Sequence, residues 1–145
     1  MFYFWNARKL SINESFSHLT QETPVKRVET LDDLRMVLDK LCREDENTVV
    51  VVEGPRDADS LRKLGFRGSI VYVRDVDRLY TLPRGAKVVL LLDFDREGSS
   101  MTLRLVKRLT EEHVRVDTSY YRALKTAKRF GVNTVQDLQY LFEGG

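Results

Sequence analysis

Cysteine and histidine are nearly missing. Cys42 stands alone beside His18 and His113, which excludes a disulfide framework, a CxxC redox centre and a Cys/His zinc site. No apolar run approaches the ~18 residues of a membrane span, and the aromatic start Met1–Trp5 has neither the length nor the basic flank of a signal peptide. The expectation is a cytoplasmic protein with no membrane attachment. A large excess of one charge is also missing: 24 Lys and Arg face 22 Asp and Glu, net +2, so bulk charge points to no partner and only its distribution can. Residues 103–130 do hold eight basic residues (Arg104, Lys107, Arg108, Arg115, Arg122, Lys125, Lys128, Arg129) against three acidic ones (Glu111, Glu112, Asp117). Apolar material is sufficient: 145 residues, 42% of them hydrophobic, make one core, in a domain burying about 70% of its unfolded surface.

Periodicity divides the chain. The first 29 residues have none and read as an irregular or partly helical lead-in. Leu31, Leu34, Val37, Leu38 and Leu41 fall at helical spacing behind a Thr30/Asp33 capping box, predicting a helix over 31–44. Thr48–Val52 is a β-branched run of the kind buried on both faces of a parallel sheet, ended by Glu53-Gly54-Pro55. Asp57 is read as the cap of a following helix that stops at Gly65. Two more apolar runs, 69–73 and 87–92, flank a short helix or turn over 75–82, and the second of them closes on Asp93-Phe94-Asp95. A helix after Gly98, a strand over 113–116 and helices over 119–130 and 134–143 complete the chain, the last with a Thr134/Asp137 box. The alternation predicts an α/β fold with a mostly parallel four-stranded sheet and flanking helices.

Three acids stand out by position. In open α/β sheets functional groups gather beyond the carboxyl ends of the strands, where Glu53, Asp93 and Asp95 all fall. If the strands before Glu53 and Asp93 are neighbours, their carboxylates meet, and Asp95 can turn toward the same spot. Carboxylates so close cannot all stay ionised without a cation. With no nearby His or Cys, a hard divalent ion fits, Mg²⁺ or else Mn²⁺, and with it phosphoryl transfer. Taken singly, each acid could as well be a helix cap or loop charge.

The run Val50-Val51-Val52-Glu53-Gly54 and, about 40 residues on, Leu90-Leu91-Leu92-Asp93-Phe94-Asp95-Arg96-Glu97-Gly98 together resemble the Toprim domain over roughly 47–117. That Rossmann-like domain is shared by type IA and type II topoisomerases, DnaG-type primases, OLD-family nucleases, RecR and a 5S ribosomal RNA maturase. The resemblance implies that Glu53 is the general acid/base and also a metal ligand, that Asp93 and Asp95 coordinate Mg²⁺, and that Gly54 and Gly98 are the motif glycines. In size the chain is similar to the small stand-alone primase-like Toprim proteins found mainly in archaea. Ser99 stands where topoisomerases continue with glutamate, and Tyr120 and Tyr121 lack a cleavage domain, so topoisomerase activity is not expected. The expected division is an N-terminal extension and helix over 1–46, a Toprim core over 47–117 and C-terminal helices over 118–145.

Around this centre, Arg56 and Arg96 are placed to hold a substrate phosphate or to balance the acids. Arg122, Lys125 and Arg129, at i, i+3 and i+7 of the expected helix, form a cationic stripe suited to a phosphate backbone, or a solvated face. Asp57 and Asp59 are read as capping and surface residues ahead of an extension of the metal site, and Phe2–Trp5 as a cluster that packs on the domain, stacks on bases or binds a partner. The functional expectation is Mg²⁺-dependent phosphoryl transfer, nuclease-like, on RNA or DNA. The alternatives are a non-catalytic metal-containing module that binds nucleic acid or a protein partner in a processing complex, and a phosphoaspartate protein, which Glu97 disfavours by standing where a small residue is needed.

Overall fold

The computed structural model describes Val25 and residues 27–143. The expected lead-in lies mostly, and the aromatic cluster Phe2–Trp5 wholly, outside those residues. Thr30 accepts from Asp33 N while Asp33 Oδ2 accepts from Thr30 N, so the expected capping box opens helix α1, Leu31–Cys42. Leu34, Val37, Leu38 and Leu41 are its buried face.

Four strands form one all-parallel sheet: β1 Thr48–Val52, β2 Ser69–Tyr72, β3 Lys87–Leu90 and β4 Val116–Asp117, in the order β2-β1-β3-β4. This is the expected α/β architecture. All five residues of β1 are buried, since it has neighbours on both edges and helices over the sheet. The remaining elements are α2 (Pro55–Leu64), a 3₁₀ helix Val73–Thr81, α3 (Arg96–Glu111), α4 (Ser119–Lys125), a second 3₁₀ stretch Thr126–Phe130 and α5 (Val135–Glu143). Gly65 closes α2 in the left-handed region at φ 111°, as its position suggested.

Three local readings need correction. The N-cap of α2 is Gly54, followed by Pro55, whose missing N–H costs nothing in a first turn; Asp57 sits inside the helix. The span 119–130 is no single α-helix, because it tightens to 3₁₀ at Thr126 before Gly131 ends it at φ 83°. The last strand is Val116–Asp117, not 113–116, since His113 takes φ 63° where Val114 N returns to Leu109 O to close α3.

Topology explains where a site can form. From β1 the chain steps to β2 on one side, and from β3 to β4 on the other, so connections leave β1 and β3 in opposite directions. A crevice opens at such a switch point, beyond the carboxyl ends of the two central strands.

Candidate functional site

Register carries Glu53 and Asp93 to that crevice together. Val51 pairs with Leu90, and Leu91 N donates to Val51 O at 2.8 Å, so the two strands end level. Asp93 N then donates to Glu53 Oε2 at 3.0 Å. Burial, and after it the charges of Glu53, Asp57, Asp95 and Asp137, push the Asp93 carboxyl up to about 6. None of these five acids takes part in an ion pair among the described residues.

Each neighbouring acid arrives on a helix start. Asp57, buried in the first turn of α2, accepts from Gln136 Nε2 at 3.4 Å. Burial raises its pKa, opposed by Gln136 and by the backbone at Gly54 and Glu53. Asp95 is the N-cap of α3, its Oδ1 accepting from Gly98 N at 2.7 Å. One of its oxygens is therefore committed to the helix. Asp137 belongs to the start of α5, where Asp137 N donates to Thr134 Oγ1 at 3.1 Å and Asn133 N to Asp137 Oδ2 at 2.9 Å. The loop before α5 is tied to the acidic turn by Phe94 N, which donates to Asn133 O at 2.8 Å.

The turn is walled in from its other side too. A Cβ on Gly98 would lie 1.9 Å from Asp93 O, so only glycine lets α3 begin so close to that carbonyl. Tyr121 OH donates to the same Asp93 O at 2.7 Å and lies 3.2 Å from Ser99 Oγ, to which Lys125 Nζ donates at 2.5 Å. Burial pushes the Tyr121 phenol up, so it is a neutral donor at ordinary pH. A cavity of about 480 Å³ opens here, lined by Glu53, Gly54, Pro55, Arg56, Asp57, Asp93, Thr134 and Gln136.

Of the expected site residues, Glu53 and Asp93 meet directly, while Asp95 stands within electrostatic reach and caps α3. Arg56 is exposed on the cavity rim and Arg96 exposed beside Asp95. The basic stripe divides: Arg122 and Lys125 are half-buried on α4, with the Lys125 ammonium turned onto Ser99, and Arg129 is exposed on the 3₁₀ stretch. Asp59 lies on the surface, paired with Lys63 at 3.2 Å. Sequence reasoning weighed Asp57 as an extension of the metal site but preferred a capping role, and it gave Ser99, Tyr121, Gln136 and Asp137 no part in the site. Asp57 was legible at most as a second acid near Glu53; the others reach the turn only through tertiary packing.

The donor set suits a hard cation in kind. Every group is a carboxylate oxygen, and Mg²⁺ asks for only one or two protein carboxylates while keeping several waters. Among the described residues no three His, Cys, Asp or Glu side chains already close around one point.

Known proteins agree with this architecture. The Toprim domain family model matches residues 47–119. The chain is 36% identical over 113 residues to a UPF0292 protein of Pyrococcus horikoshii, covering 73% of this chain and 81% of that one. It is 34% identical over 115 residues to one of Pyrococcus abyssi, with coverage of 73% and 81%. A UPF0292 protein of Methanocaldococcus jannaschii is 27% identical over 120 residues, covering 79% and 93%. A solved Aquifex aeolicus structure superposes with a TM-score of 0.58 at 21% identity over 76% of this chain and 99% of that one, which speaks for the fold alone. Strand ends, acidic turn and matched span together assign the chain to the Toprim domain family and to the UPF0292 proteins.

Proposed function

We propose that the protein is a Mg²⁺-dependent phosphoryl-transfer protein on nucleic acid, nuclease-like toward RNA or DNA. Toprim membership supports the coarser part, a metal-dependent, nucleic-acid-related function. The observation that carries the finer part is the meeting of Glu53 and Asp93 at the switch point without a cationic partner among the described residues. Asp93, with Glu53 and one free oxygen of Asp95, would hold the ion. When bound, Mg²⁺ supplies charge stabilisation to phosphoryl oxygens.

The chain's own residues do the rest. Glu53 has Oε2 held by Asp93 N, which leaves Oε1 to take a proton from the attacking group. Arg56 and Arg96, exposed on either side, bind the phosphate flanking the reacting one. Arg122 and Arg129 extend the cationic surface toward the polynucleotide, whereas Lys125, expected beside them, is turned onto Ser99.

The commitment of Asp95 to its helix favours one second reading, a module that docks phosphate through the metal and does not turn it over. Both are tested by incubating the protein with labelled single-stranded and structured RNA and DNA in Mg²⁺, Mn²⁺ or EDTA, beside Glu53→Gln and Asp93→Asn. Metal-dependent cleavage lost in both variants is the expected result. Metal-dependent binding without cleavage selects the docking module, and cleavage surviving in both variants removes the assigned roles.

A further inference from the structure

Three polar side chains lead in series to one backbone carbonyl, and their chemistry fixes the direction of every bond. Asp93 O can only accept, so the Tyr121 proton lies toward it. In the Tyr121–Ser99 contact the remaining proton is that of Ser99, which must therefore donate to the phenol oxygen. The Lys125 ammonium has no acceptor and can only donate to Ser99 Oγ. The result is a chain of one polarity, Lys125 to Ser99 to Tyr121 to Asp93 O, headed by a full positive charge, in which each bond polarises the next. Satisfying a lone carbonyl requires a single donor. A charge-headed relay of three residues does more, because it ties α4 to the first turn of α3 and to the acidic turn at once.

The target of the relay is the peptide that sets the site. Asp93 donates its own N–H to Glu53 Oε2 and takes the Tyr121 bond on its C=O, and the N–H of that same Asp93–Phe94 peptide donates to Asn133 O. The Tyr121 ring is itself placed by Phe94, 5.5 Å between centroids and tilted 46°. We infer that Tyr121, supported in series by Ser99 and Lys125, is a positioning residue that orients the Asp93–Phe94 peptide and so holds the Asp93 and Glu53 carboxylates in place for a divalent cation. The cation part rests on the function proposed above; the orientation of the peptide does not.

The test uses the full chain with Tyr121→Phe, Ser99→Ala, Lys125→Met, the Ser99→Ala/Lys125→Met double variant and Lys125→Arg. It reads amide hydrogen exchange in metal-free protein at Asp93 and at Val50 in β1, and Mn²⁺ affinity by calorimetry. Tyr121→Phe is expected to speed exchange at Asp93, with Val50 unchanged, and to weaken Mn²⁺ binding, each by roughly tenfold, the weight of one hydrogen bond. Ser99→Ala and Lys125→Met should give smaller, equal effects, their combination no larger than either alone, and Lys125→Arg should behave as wild type. Unchanged exchange at Asp93 in Tyr121→Phe, additive effects of Ser99 and Lys125, or Asp93 and Val50 accelerating together would overturn the assignment. Wild-type protein that binds no Mn²⁺ while Asp93 still responds to Tyr121→Phe would sink the metal reading and leave the positioning role standing.

Discussion

Asp93 gathers the negative field of the crevice, and its titration should be visible in the stability of the metal-free protein. With its carboxyl raised from 3.8 to about 6, the folded state holds more protons than the unfolded state between those values. Stability from this group is present below about pH 4 and is lost as pH rises through about 6. Thermal melts across that window should therefore show wild type losing stability relative to Asp93→Asn, with the variant the more stable at neutral pH. Added Mg²⁺ should close the gap by raising wild type alone; a variant melting below wild type at pH 7 without metal would contradict this. Gly98 makes the opposite case, a residue whose virtue is what it lacks. Gly98→Ala puts a methyl group into the Asp93 carbonyl, and urea denaturation should register a loss of about 1–3 kcal/mol.

Helix starts are where the elements serve both fold and site. α2, α3 and α5 begin around the acidic turn, and the acids that crowd Asp93 include one from each start: Asp57 in the first turn of α2, Asp95 at the N-cap of α3 and Asp137 in the first turn of α5. Asp95 separates the two duties. Asp95→Ala should lower stability by about 1 kcal/mol through the lost cap, whereas Asp95→Asn, which can still accept from Gly98 N, should stay near wild type. If Asp95 also ligates the ion, both substitutions weaken Mn²⁺ binding by calorimetry. The basic segment is interrupted as an element, so its cations do not share one helical face. Arg122→Ala with Arg129→Ala should still weaken nucleic-acid binding and reduce the slope of log affinity against log salt by about two, one per phosphate contact. An unchanged slope would make those residues ordinary surface.

Across the whole molecule a second charged group lies apart from the crevice. Lys87, at the start of β3, is buried between Glu44 Oε1 at 3.0 Å and Asp117 Oδ2 at 3.3 Å. Tyr120 donates to Glu44 Oε2, and Asp117 also accepts from Ser119 N at 2.9 Å. This group joins the end of α1, the sheet and the start of α4, and leaves no buried side-chain polar atom unpaired among the described residues. Lys87→Met strands the buried Asp117 and the half-buried Glu44 and should cost about 3–5 kcal/mol in urea denaturation, with part of that loss recovered when Asp117→Asn is added.

Much of this protein was legible in its residues taken in order. The β-branched run 48–52, the Thr30/Asp33 box and the stop at Gly65 act over a few residues, so local physics places them. The acids at 53, 93 and 95 could be singled out because strand ends are where an open sheet exposes functional groups. Spacing could not say that β1 and β3 are neighbours, that Asp57 and Asp137 crowd Asp93, or that Lys125 faces Ser99 and not solvent. Those relations join residues tens of positions apart, and strand order and helix docking, which only burial of the whole core can decide, bring them within hydrogen-bond or electrostatic reach.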